Sequence, residues 1–418
     1  MKRCLLVALV AAAGGWCLAA DWPRWRGPDG TGRVPAGVPV PTTLPAEPKV
    51  VWSVKIGPGS ASPVVCGGRV LYLDCQDGRE VVHAADAATG REVWRADLDE
   101  AFKDNQSVAG PRCAPVADGP RVFVQSCRGE FQCLGAADGK LLWRVNFVKD
   151  FGAVFTGEKG QAVGAARHGY TGPAVVDGDR IIVGVGGTSG ASVVAFDKAA
   201  GRVLWKSQND VPGYSGPVVA TMAGVRQVVE FTAEAAVGLA AADGTLLWRV
   251  PLKTSFGRHA ATPVVVDDVV VVSSYQAGLV GIRVSKEGGA MKAEKAWAEK
   301  SLAINFSSPV AVGPYVYGIG PASDLFCADA QTGRAAWDEK GFFSGLVKRG
   351  YVSLLVMGDN IGILAEGGQF LLVAADPKQC RIVARTQVCG QNWCNPAYVD
   401  GKLFLRDLEE LRCVQVLP

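Results

Sequence analysis

Three histidines, His83, His168 and His259, are all that a 418-residue chain offers as imidazole bases or metal ligands. No H-E-x-x-H, P-loop or G-x-S-x-G pattern accompanies them. A C-x-x-C-H haem attachment site and a D-x-[DN]-x-[DN]-G calcium loop are absent too. The glycine-rich run Gly184–Gly190 joins two apolar strands instead of opening a helix, so it reads as a hairpin loop and not a phosphate cradle. His83 lies within a predicted strand and has a structural reading. The sequence assembles no catalytic set and no metal site.

A different series has binding chemistry. Small-residue-Pro followed by an apolar run recurs at Ser62-Pro63, Ala114-Pro115, Gly172-Pro173, Gly216-Pro217, Thr262-Pro263, Ser308-Pro309 and Asn395-Pro396, with Ser353-Leu354 filling one gap. Three residues before each stand Ser60, Arg112, Tyr170, Tyr214, Ala260, Phe306, Tyr351 and Trp393. One or two positions further back come His168, Arg258, His259, Asn305, Arg349 and Asn392. If these positions surround one opening, they form an aromatic collar with arginine, histidine and asparagine, suited to a planar or sugar-like ligand or a peptide loop. The competing reading is that the rings plug the channel or stack between neighbouring units.

The elements that hold this series in place are a repeat. Gly-x-x-x-Trp occurs at Gly90–Trp94, Gly139–Trp143, Gly201–Trp205, Gly244–Trp248 and Gly333–Trp337, and Trp297 ends a unit lacking that glycine. Successive tryptophans are 49, 62, 43, 49 and 40 residues apart, the period of a four-stranded propeller blade with its loops. Within residues 62–94 the inner strand follows Pro63, Cys66-Gly67-Gly68 turns the chain, and Asp86 to Gly90 makes the turn into the strand ending on Trp94. The last unit has only three strands, and Val50–Val54 with Trp52 supplies the fourth. Pairing the termini closes the ring and hides sheet edges. The expectation is therefore all-β: an eight-bladed β-propeller of four-stranded antiparallel blades over 50–418. Trp52, Trp94, Trp143, Trp205, Trp248, Trp297 and Trp337 pack blade on blade, and Ala384 stands at the tryptophan position of the seventh.

Residues 1–20 read as an export signal, with Lys2-Arg3, an apolar run from Leu5 and small residues before Asp21. Trp16 before Cys17 argues against a lipid anchor there. Residues 21–49 form an N-terminal extension. Without Lys2 and Arg3 the totals of 43 basic and 40 acidic residues become 41 and 40, a balance with no broad pull toward nucleic acid or anionic lipid. No later run is long and apolar enough for a membrane helix. Ten cysteines follow the signal, and in an oxidising compartment some should pair, Cys389–Cys394 first and Cys66–Cys75 next. Cys133, Cys327 and Cys413 recur at one place in the repeat and read equally well as small buried thiols.

The segment Ala84–Trp94, of the form Ala-x-Asp-x-x-Thr-Gly-x-x-x-Trp, and its copy at 328–337 resemble the pyrroloquinoline-quinone-like propeller repeat, and the resemblance covers 50–416. The opening Asp21-Trp22-Pro23-Arg24-Trp25-Arg26-Gly27-Pro28 is similar to the start of exported propellers of this group. The resemblance extends to BamB-like subunits, scaffolds of the outer-membrane protein assembly machine, and implies a noncatalytic monomer in the periplasm or outside the cell, with an envelope protein or a small ligand as partner. Quinoprotein dehydrogenases share the repeat but carry a vicinal disulfide, calcium and a catalytic aspartate. This chain has no adjacent Cys-Cys pair, so no quinone, calcium or other cofactor is expected. A quinone-dependent redox enzyme and a carbohydrate-binding module are the alternative functions.

Overall fold

The computed structural model describes residues 21–105, 107–347 and 350–418. The predicted export signal and Arg349 lie outside the described residues. Among the described residues thirty-two strands form eight separate four-stranded antiparallel sheets. Blade 1 consists of Val64–Cys66, Arg69–Gln76, Arg79–Asp86 and Glu92–Glu100. Blades 2 to 7 follow at 116–146, 175–207, 218–251, 264–299, 310–339 and 352–387. The first strands of blades 8, 1 and 2, of blades 3 and 4, and of blades 5, 6 and 7 touch one another, which places the first strands at the axis. Ring closure follows the sequence expectation: Lys49–Lys55 pairs antiparallel with Glu410–Gln415, completing blade 8. Buried Arg406 of blade 8 latches that seam, donating to the carbonyls of Leu73 and Gly57 at 2.6 and 2.9 Å.

The repeat's glycine and tryptophan meet across the seams between blades. Each glycine receives the tryptophan of the preceding blade: Gly90 faces Trp52, Gly139 faces Trp94, Gly201 faces Trp143, Gly244 faces Trp205 and Gly333 faces Trp297. At Gly201 a Cβ would lie 2.6 Å from the Trp143 ring, and φ is +69°. Only glycine meets both conditions. The indole N–H then crosses the same seam, from Trp94 to the Ala136 carbonyl at 3.0 Å and from Trp205 to the Ala241 carbonyl at 3.2 Å. Blade 5 lacks the glycine. The Trp248 N–H facing it turns back into its own blade, onto Gln227 Oε1.

Across the third and fourth strands each tryptophan meets a small residue. Cys133 pairs with Trp143, Cys327 with Trp337 and Cys413 with Trp52, where other blades have Ala84, Ala195, Gly238 or Gly281. Blade 7 reverses the sizes, with Leu372 opposite Ala384. The buried-thiol reading of those three cysteines therefore holds: all are fully buried, and burial pushes the Cys133 and Cys327 thiols up to about 12. The two expected pairings are corrected. Cys389 and Cys394 are both free thiols, and so is Cys75, the expected partner of Cys66. The first two are buried separately, one near Asn392 and the other on the Ser60 carbonyl.

Residues 21–34 run across one end of the channel. Trp22 bridges to Val65 of blade 1, and the Pro23 carbonyl accepts from Ala117 of blade 2. Arg24 reaches the Val176 carbonyl of blade 3, while Arg26 and Arg33 donate to Pro309 and Ala311 at blade 6. Arg33 also bridges to Val356 of blade 7. Trp22 and Arg26 are each 2% exposed. The segment plugs that mouth.

Candidate functional site

The collar residues precede the inner strands, so they stand at the mouth opposite the plug. Hydroxyl residues at or beside the small position that opens an inner strand carry a function of their own. The Ser308 hydroxyl accepts from Thr262 N, Ser62 accepts from Asn395 N, and Ser353 donates to the Cys394 carbonyl. Thr171 reaches the Tyr214 carbonyl in the same way. These hydroxyls staple neighbouring blades around the opening and fix the direction of the residues just before them.

The opening leads into a blind funnel of about 640 Å³, whose floor is Trp25 of the plug. The Trp25 indole donates to Thr262 Oγ1 at 3.1 Å, which seats the floor against blade 5. One wall is aromatic. Phe306, Tyr351 and Trp393, from blades 6, 7 and 8, stack in sequence with centroids 5.4 and 5.8 Å apart. Trp393 Nε1 donates to Glu366 Oε1 at 3.1 Å. The other wall is polar. Buried Asp104 accepts from Arg112 Nη1 at 2.8 Å and pairs with His168 Nδ1 at 2.9 Å, and Arg112 Nη1 also reaches the His168 carbonyl at 2.7 Å. The Nε and Nη2 atoms of Arg112 are buried with no partner among the described residues, as is the Tyr214 hydroxyl. Burial raises the Tyr214 phenol above its ordinary range, so it stays protonated at neutral pH. Between the walls, the Arg258 guanidinium lies 5.8 Å from the Phe306 ring centre and 5.2 Å from that of Tyr275.

Of the residues singled out in the sequence, Arg112, His168, Tyr214, Arg258, Phe306, Tyr351 and Trp393 line this funnel together. Others do not. Tyr170 is 2% exposed and packs edge-on against Phe147 between blades 2 and 3, the packing role that competed with binding. His259 is fully buried behind the wall, stacked 4.0 Å from Phe231, with Nδ1 on the Thr232 carbonyl and Nε2 on Thr254 Oγ1. Burial lowers its pKa to about 4, so it is neutral. Asn305 stands outside the lining, its Oδ1 buried without a partner among the described residues. Asn392 is buried against the Ala365 carbonyl. His83 is held between Asp74 and Glu92 at 3.0 and 2.7 Å, stacked on Tyr72 inside blade 1. Among the described residues no three His, Cys, Asp or Glu side chains converge as a metal site.

Sequence reasoning missed Asp104 and Trp25. Asp104 lies early in the connection between Glu100 and Val116, farther from Pro115 than the offsets counted back from the prolines. Trp25 belongs to an opening motif that stood out in the sequence, but nothing in its spacing places it under the ring.

Eight four-stranded blades, a plugged mouth and a blind funnel at the other define a closed β-propeller built around a single central recess. The chain belongs to the family described as outer membrane protein assembly factor BamB, whose model matches residues 45–112 and 78–339. The outer membrane protein assembly factor BamB of Shewanella oneidensis is 25% identical over 401 residues, covering 89% of each chain. Among solved structures, BamB from Moraxella catarrhalis aligns with a TM-score of 0.56 at 17% identity, covering 88% of this chain and 97% of that one. Quinohemoprotein alcohol dehydrogenase from Comamonas testosteroni aligns at 0.63 with 14% identity, covering 96% of this chain and 82% of that one. At such identities both likenesses concern the fold alone.

Proposed function

We propose that this protein is an exported, noncatalytic scaffold of outer-membrane protein assembly that binds a protein partner in the cell envelope and uses the open funnel as a ligand site. The observation that carries the reading is the family match, which extends from the ring-closing strand through the sixth blade. The funnel's chemistry supports binding without turnover. Its one acidic residue among the described lining, Asp104, is committed to Arg112 and His168. A calcium–quinone pair needs carboxylates free to ligate the cation. The donor set present does not fit that pair.

Affinity purification of the tagged protein from solubilised envelopes of its own cells tests the reading. The outer-membrane assembly machine should co-purify in stoichiometric amount, and its absence would count against the scaffold. A parallel assay adds the quinone and calcium and follows dye-linked oxidation of alcohols and sugars. Stoichiometric quinone with turnover would overturn the noncatalytic reading.

A further inference from the structure

We propose that the funnel takes a small aromatic carboxylate, its ring against the Phe306–Tyr351–Trp393 wall and its carboxylate on Arg258. The proposal rests on the reading of the funnel as a ligand site and names the class of ligand.

Three features of the recess call for this chemistry. First, Arg258 is a partly buried cation in the wall that makes no salt bridge among the described residues. Its guanidinium is held by the faces of Tyr275 and Phe306 instead, which orients the fork while leaving its hydrogen-bonding edges for an acceptor. A planar carboxylate matches that fork. Second, the charge is unbalanced. Arg112 and Arg258 face a single aspartate among the described lining residues, an excess of one guanidinium over the carboxylates. Asp104 neutralises Arg112 only through Nη1, and the Nε–Nη2 edge is buried without a partner. Arg112 therefore adds unmet donors to the wall, and the unmatched charge among the described lining residues is that of Arg258.

Third, the aromatic wall begins beside the free cation. Phe306 is both the ring over which Arg258 sits and the first member of the three-ring stack. A ligand whose anion reaches Arg258 therefore brings its adjoining atoms onto Phe306 and Tyr351, where a flat apolar body is matched and an aliphatic acid is not. The floor sets the depth. Trp25 closes the funnel at about 640 Å³, within the range of roughly 300–1,000 Å³ in which small-molecule sites fall.

The test is calorimetric titration of the full protein with 4-hydroxybenzoate, with benzyl alcohol (ring without charge) and acetate (charge without ring) as comparators. Quenching of tryptophan emission gives a second readout, since Trp25 and Trp393 line the recess. 4-Hydroxybenzoate should bind at one site per chain and at least tenfold more tightly than either comparator. Arg258→Gln should weaken it by at least tenfold, and Tyr351→Ala should weaken it while leaving acetate unchanged. Equal binding of benzyl alcohol, or an Arg258→Gln variant with unchanged affinity and an intact circular-dichroism spectrum, overturns the proposal. Envelope co-purification is read separately. If the assembly machine is captured and 4-hydroxybenzoate does not bind, the ligand class is wrong and the scaffold reading stands. If 4-hydroxybenzoate binds as described and nothing is captured, the ligand class stands and the scaffold reading is wrong.

Discussion

Gly201→Ala measures how much the blade seams depend on the glycine–indole contact. Gly201 has φ +69°, and a Cβ there would meet Trp143 Cδ2 at 2.6 Å. The left-handed backbone alone costs about 1–2 kcal/mol for alanine. Forcing the indole aside adds about 1–3 kcal/mol of overpacking, for a total of about 2–5 kcal/mol. Gly178 of the same blade supplies the control. It has φ +59°, but its missing Cβ would face open space, so Gly178→Ala pays only the backbone part. An unfolding entropy of about 2.1 cal/mol/K per residue makes 1 kcal/mol worth about 1 °C in a chain of 418 residues. Thermal scans at one heating rate should therefore show a fall of about 1–2 °C for Gly178→Ala and about 2–6 °C for Gly201→Ala. The excess should disappear when Trp143→Leu is already present, because the two residues share one contact. Equal shifts for the two glycines, or an excess that survives Trp143→Leu, would refute the reasoning.

Arg26→Ala removes the donors to the Thr31 and Pro309 carbonyls and should loosen the plug by about 2–4 kcal/mol, read as faster hydrogen–deuterium exchange over 21–34 with the blades unchanged. Unaltered exchange there would mean the arginine does not seat the segment. His259, lowered to about 4 by burial, binds its proton more readily unfolded than folded between pH 6.5 and 4. Its contribution is complete above pH 6.5 and is lost as pH falls through that window, on the order of 3 kcal/mol. Urea titrations across it should show a smaller loss in His259→Gln. Glu230 behaves oppositely: burial raises its carboxyl to about 8, and both oxygens lack partners among the described residues. Stability is lost as pH rises from 4.5 through 8, so Glu230→Gln should be the more stable protein at pH 9, by on the order of a few kcal/mol, and a variant weaker there would contradict the assignment.

Architecture was legible because it repeats. A tryptophan every forty to sixty residues and a proline opening each inner strand report local conformation and burial, which depend on neighbours in sequence. Trp52 completed the eighth blade for the same reason. The collar was legible in outline, since positions at one offset from the prolines must share one end of the ring. Which of them face the recess was not. Tyr170 and Tyr214 occupy the same offset, yet one packs on Phe147 and the other lines the funnel. That choice depends on which side chains the adjoining blades present, and those lie tens of residues away.

By itself, then, the sequence determined an all-β ring of eight blades, its closure through the N-terminal strand, and the residue types gathered at one mouth. Only the tertiary structure decided the rest. It gave each repeat glycine to the previous blade's tryptophan, left Cys389 and Cys394 unpaired, locked Asp104 onto Arg112 and His168, and turned residues 21–34 into a plug with Trp25 as the floor. Each of these is a contact between segments that the repeat does not relate to one another. A period fixes how like units stack, but it carries no information about a segment that occurs once or about the blade a side chain meets across a seam.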